Sequence, residues 1–174
     1  VALFLMLLAA AQAFPERSMR SSWASTALIP GIPGQSNHTD LQPDHTLTAG
    51  ELAVASNFDV VGNQSITVLR VALPESGTTS VRIPGSDIVP KRGEYLASPA
   101  LAKRIASLPA DQLGDRYGKQ VGVLSPEAVE GPDSLVAIVG TDLGTVAASE
   151  FYIPPQVVIS FQGIPYENEA YRIA

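Results

Sequence analysis

GEYLASPALAKRI (93–105), LGDRYGKQVGVL (113–124) and LVAIVGT (135–141) are the runs on which the fold is read. In order they predict a short strand, a capped helix, a tight Leu-Gly-Asp turn and two further strands. Ser98 is suited to cap the open amides of the helix start, and Pro99 at the first helical position loses no needed hydrogen bond. Leu101, Ala102, Ile105 and Leu108 fall on one face, while Lys103 and Arg104 face water in the half where the helix dipole favours cations. Pro109 ends this helix and opens a short second one through Leu113, stopped by Gly114. At the turn, Gly114 is read as free to take positive φ, with Asp115 bonding nearby amides. The run Ser134–Gly140 is almost continuously apolar, which places it centrally in a sheet covered on both faces.

Upstream, Leu52–Asn57 and Ser65–Leu73 read as strands, and Gly62-Asn63 supplies the turn chemistry of an antiparallel hairpin. The stretches from Ile29 to Gly50 and from Pro74 to Gly93 are broken by Pro, Gly, Asn and Asp and read as loops, the second holding a short strand at Val81–Ile83. Downstream, Pro154-Pro155 forces extension before a last strand, Val157–Phe161. The expected fold is α+β: a mixed sheet with a few short helices, preceded by the end of a transmembrane helix.

That last expectation comes from Val1–Phe14, VALFLMLLAAAQAF, apolar except for Gln12. A membrane-spanning helix needs roughly 20 apolar residues, so this reads as the end of a truncated span. Ala11-Gln12-Ala13 also fits a signal-peptide cleavage site, and a buried core helix is the third alternative. The organisation expected is residues 1–14 as span end or signal h-region, 15–28 as a polar stalk, and 29–174 as an extracytoplasmic domain.

Composition narrows the classes of function. Net charge is −6, and no basic stripe with interleaved aromatics is present, so nucleic-acid binding is not expected. Cysteine is absent, which excludes disulfides, thiolate nucleophiles and Cys-based zinc sites. Gly114–Lys119 superficially resembles a phosphate loop. However, it has three residues between its glycines where that motif needs four, and Gln120 stands where Ser or Thr is required. His38, Asp40, Asp44 and His45 cluster in a predicted loop, but their spacing matches no compact metal site. The carboxylate pairs Asp111/Asp115 and Glu127/Glu130 lack a His or Lys partner nearby and read as solvated surface. Neither a nucleophile elbow nor an H-E-x-x-H motif is present. Asn37-His-Thr39 and Asn63-Gln-Ser65 fit the glycosylation sequon and are read as incidental. No catalytic, metal or cofactor residue is assigned, and the chain is not read as an enzyme.

The ordered set Gly93-Glu94, Ser98-Pro99 with Leu101-Ala102, Leu113-Gly114-Asp115 and Ala137-Ile138-Val139-Gly140 resembles the extracytoplasmic domain of FtsX/MacB-like ABC-transporter permeases. Its flavour looks most like the large permeases of high-GC Gram-positive bacteria. The match covers about a third of the chain tightly, and the linker Ala106–Gln112 is longer than in short MacB-type versions. Ser149–Ala174 matches nothing assignable. The resemblance implies structural roles for Gly93, Glu94, Ser98, Pro99, Leu101, Ala102, Leu113, Gly114, Asp115, Val139 and Gly140. It further implies location in the cell membrane with this domain outside the cytoplasm, a cytoplasmic ABC ATPase as partner, and a permease dimer. The function implied is coupling of ATP-driven helix motion to transport or mechanotransmission. A secreted, non-catalytic binding protein released by cleavage after Ala13 is the alternative.

Overall fold

The computed structural model describes residues 38–129, 131–149 and 154–161. The apolar N-terminal stretch, the stalk and the Asn37 sequon position lie outside the described residues. Among those described, no helix is long and apolar enough to cross a membrane.

The strands among the described residues are β1 (His38–Asp40), β2 (Leu52–Val61), β3 (Gln64–Ala72), β4 (Glu94–Ala97), β5 (Lys119–Val123), β6 (Val136–Thr141) and β7 (Gln156–Val158). They form one mixed sheet in the order β1-β7-β2-β3-β6-β4-β5. Among the described residues two α-helices accompany them, α1 (Pro99–Ser107) and α2 (Leu143–Ala147). The fold is α+β, as expected.

β2 and β3 pair antiparallel from Ala53↔Ala72 to Val61↔Gln64, leaving Gly62-Asn63 as the whole turn. Gly62 takes φ +61°, the backbone that a two-residue hairpin turn requires. β6 runs parallel to β3 and antiparallel to β4, with Val136 to Gly140 all buried. The apolar run read as a central strand is therefore central, and its lack of alternation reflects cover on both faces.

Strand alternation sorts the core into two faces. On one, Leu52, Val54, Leu69, Val71, Leu96, Ile138 and Val158 pack against Val81, Ile83, Leu124 and Val129, which come from loops. On the other, Ile66, Val68, Tyr95, Ala97, Ala137 and Val139 lie under Leu101, Leu113 and Tyr117. Further along that second face, Ala53, Ala55, Ala72 and Val157 lie under Leu47 and Val146.

Several local expectations are corrected. His38–Asp40 is a strand, because β7 supplies a partner more than a hundred residues away that three polar residues do not announce. Val81–Ile83 is not a strand. Both side chains are buried, and the Val81 amide donates to Thr79 Oγ1 rather than to a strand, that hydroxyl donating in turn to the Glu51 carbonyl. The last strand stops at Val158, short of Phe161. α2 was not foreseen; Asp142 caps it by accepting from the Thr145 amide at 2.8 Å, and Val146 anchors it to the sheet.

Candidate functional site

The densest junction in the molecule is built around Ser98. Its side chain is fully buried where β4 ends and α1 begins. Oγ accepts from the Leu101 amide at 3.3 Å, as an N-cap should, and also from the Val136 amide at 3.1 Å. The same hydroxyl donates to the Ser134 carbonyl at 2.6 Å. The Ser98 amide donates to the Val136 carbonyl, continuing the β4–β6 ladder by one residue. One hydroxyl thus ties the helix start to the entry of the central strand. A buried oxygen with this many obligations is structural.

A second junction consists of backbone. Gly93 donates its amide to the Gly140 carbonyl at 3.2 Å and accepts from the Lys119 amide at 2.8 Å. Gly118, at φ +91°, sits so close to Gly93 that a Cβ would overlap its carbonyl oxygen. A Cβ on Gly140 would overlap the carbonyl oxygens of Pro90 and Lys91. The loop that enters β4 therefore crosses the end of β6 at a distance only glycine permits. Glu94 closes this loop, its carboxylate accepting from the Lys91 amide at 2.9 Å.

The third junction is polar and partly exposed. Asp59, near the tip of the β2–β3 hairpin, accepts from Arg116 at 2.9 Å through each oxygen and from the Tyr117 hydroxyl at 2.7 Å. Arg116 also donates to the carbonyls of Val60 and Gln112. The Tyr117 ring meets Tyr95 edge-on at 5.7 Å. Burial works to raise the Asp59 pKa, but the Tyr117 hydroxyl, the Val60 amide and the Arg116 guanidinium outweigh it and hold the carboxyl below its usual range. Tyr117 is pushed well above the ordinary phenol value, by burial first and then by its bond to the Asp59 carboxylate. At neutral pH the group is thus a carboxylate, a guanidinium and a neutral phenol. None is tuned towards the pH at which a general acid or base operates. The arrangement fastens the hairpin tip to the bend before β5.

Four of the motif residues meet in one place. Leu101, Ala102, Leu113 and Val139 pack in a single cluster with Tyr95 and Tyr117, and Pro99 opens α1 beside it. Gly114 and Asp115 do not play the parts expected. Gly114 closes a wide helical turn (Ala110–Gly114) without positive φ, and Asp115 is exposed, making no capping bond. The reversal into β5 is carried two residues later by Tyr117 and Gly118. Lys119 opens a strand where a phosphate loop would open a helix. Asp59, Arg116 and Tyr117 went unnoticed as a group because over 50 residues separate the partners. A lone aspartate in the strand end Asn57-Phe58-Asp59-Val60-Val61 was the only local signal.

His45 Nε2 lies 3.3 Å from Glu51 Oε2, and Glu51 also accepts from the Thr48 amide, which chiefly holds its carboxyl low. Among the described residues no three His, Asp or Glu side chains converge as metal ligands. The side chains of Asp111 and Glu127, and Glu130 as a whole, lie outside the described residues. Among the described residues an open groove of about 610 Å³ runs along α1 beside Lys103 and Arg104, and another of about 610 Å³ lies beside the end of β5. No family model, curated protein or solved structure matches the chain.

Proposed function

We propose that the chain is a fragment of an FtsX-like ABC-transporter permease subunit. In this reading the α+β domain stands outside the cell membrane and couples ATP-driven movement of the membrane helices to transport or mechanotransmission. The supporting observation is the packing of Leu101, Ala102, Leu113 and Val139 in one cluster, with Gly93 bonded to Gly140 at the end of the central strand, following an apolar Val1–Phe14 segment in the sequence. Helix, bend and central strand share one core there, so a displacement applied to one is passed to the others, because close-packed interiors transmit strain. The pairing of charges at Asp59 and Arg116 fits the same role, since it fastens the hairpin to that unit without any group tuned for proton transfer.

The partners in this reading are a cytoplasmic ABC ATPase and a second permease subunit, with no cofactor and no catalytic step in the domain. The test is purification of the tagged full-length protein from detergent-solubilised membranes of its host. An ABC ATPase is expected to co-purify, and deletion of residues 29–174 is expected to abolish transport while leaving the ATPase bound. Recovery of soluble protein from the medium, beginning at Phe14, would overturn the proposal and establish a secreted binding protein.

A further inference from the structure

Of the arginines and lysines among the described residues, Arg70 alone is not exposed. It lies on β3, the middle strand of the sheet, between Ala55 of β2 and Val139 of β6 in the register. Strand alternation puts Val68 and Ala72 on the same face, to either side of it along β3. All of these neighbours are buried. Val68 and Val139 belong to the cluster under α1 and the bend, whereas Ala55 and Ala72 belong to the cluster under α2. Arg70 therefore stands on the helical face of the sheet where the two covers meet.

No carboxylate among the described residues meets this guanidinium. Arg82, Arg92 and Arg116 are all exposed, yet each has an aspartate oxygen within 3.8 Å. Arg70 has the least access to water, and among the described residues it is in no ion pair and no side-chain hydrogen bond. That inverts the usual order, because the charge withdrawn furthest from water is the one that most needs a counter-charge. Asn57 is the polar neighbour. It faces Val68 across the hairpin and so lies diagonal to Arg70, a separation of about 7–8 Å that a long side chain spans. Asn57 is half-buried, and its amide is likewise in no side-chain hydrogen bond among the described residues.

We propose that Arg70 and Asn57 form a carboxylate-binding site on the helical face. The edge of the guanidinium presents two parallel N–H donors that match the two oxygens of a carboxylate, and the Asn57 amide donates to one of them. The apolar surroundings suit an acid with an apolar stem. A small organic acid and a glutamate of a partner protein share that chemistry. The inference is independent of the permease reading: it concerns only the described domain, and it holds for a secreted protein equally.

The test is an NMR titration of the isotope-labelled 174-residue chain, with sodium butyrate and with a blocked Ala-Glu-Ala tripeptide, each against sodium chloride at equal ionic strength. The arginine Nε–H and Asn57 side-chain amide signals are followed. Those of Arg70 and Asn57 are expected to shift saturably, whereas that of Arg104, exposed on α1, shifts at most linearly. Arg70→Lys keeps the charge and loses the fork, and it is expected to weaken binding about tenfold or more as read at Asn57. Tighter binding of butyrate assigns the site to a small organic acid, and tighter binding of the tripeptide assigns it to a partner's glutamate. Arg70→Met removes a charge that has no partner in the described domain, so its urea midpoint is expected to equal or exceed the parent's. A linear Arg70 response, binding unaltered by R70K, or a lowered midpoint in R70M would overturn the proposal. An Arg70 signal that moves on Glu150→Gln without added acid would also overturn it, by assigning the counter-charge to this chain.

Discussion

One face of the sheet is covered by α1, the bend after it and α2, whereas the other is covered by the two loops that carry Val81, Ile83, Leu124 and Val129. Both covers exclude water from the strands, but they hold their shape differently. A helix satisfies its own backbone and needs only a face of apolar side chains. A loop must have its backbone bonded elsewhere, so its cover depends on particular partners. Here those are Thr79, which bonds the Glu51 carbonyl and the Val81 amide, and the crossing of Pro90 and Lys91 over Gly140. The loop face is therefore expected to fail through backbone contacts and the helical face through lost side-chain volume.

The largest effect is expected where the loop crosses β6. Gly140→Ala would drive a methyl group into two carbonyl oxygens, and a loss of at least about 3 kcal/mol in urea unfolding is expected, near the upper end for overpacking. A loss under about 1 kcal/mol would mean that the loop moves aside freely. Next, Leu101→Ala beneath α1 and Ile83→Ala beneath the loop remove fully buried side chains from opposite faces. Each is expected to cost about 3 kcal/mol, and a clearly smaller value for Ile83 would show that the loop collapses into the cavity as the helix cannot.

Ser98→Ala is expected to cost about 2 kcal/mol by the same measurement, since it removes a cap and strands the Val136 amide and Ser134 carbonyl together. Replacement by Thr, which keeps the hydroxyl, should recover part of the loss if the bonds rather than the space are responsible. The smallest effect is expected at the hairpin tip. Asp59 is about one-third exposed, so its pair with Arg116 contributes no more than about 1 kcal/mol after solvent screening. Its folded pKa lies below its unfolded one. The contribution is therefore full above the unfolded value, near pH 4, and disappears as pH falls through the folded value. Asp59→Asn should accordingly flatten the acid side of the stability–pH curve, and it should also lessen the fall on the alkaline side above the ordinary phenol range, because the Asp59 carboxylate helps keep the Tyr117 hydroxyl protonated in the folded state.

How much of this was legible in the sequence follows from the range over which each signal acts. The hairpin turn at Gly62-Asn63, the Ser98-Pro99 helix start and the buried run of β6 are written in adjacent residues, and each is found where the sequence places it. The helical cover was legible too, since Leu101, Ala102, Ile105 and Leu108 repeat at helical spacing. The loop cover was not, because Val81 and Ile83 show the alternation of a strand while the Val81 amide bonds to Thr79 and the Ile83 carbonyl accepts from the Ser86 amide. The Leu-Gly-Asp bend was located correctly but explained by the wrong residues. Positive φ belongs to Gly118 rather than Gly114, and the polar work is done by Arg116 and Tyr117 rather than Asp115.

By itself the sequence determined the α+β class, the hairpin, the capped helix and the central strand, because caps, turns and hydrophobic periods act over a few residues. Tertiary structure alone decided that β7 joins β1 to β2, that Asp59 meets Arg116 and Tyr117, and that three glycines stack at one crossing. Those contacts unite residues scores of positions apart. Their energy comes from backbone ladders and close approach, which no local pattern of side chains records.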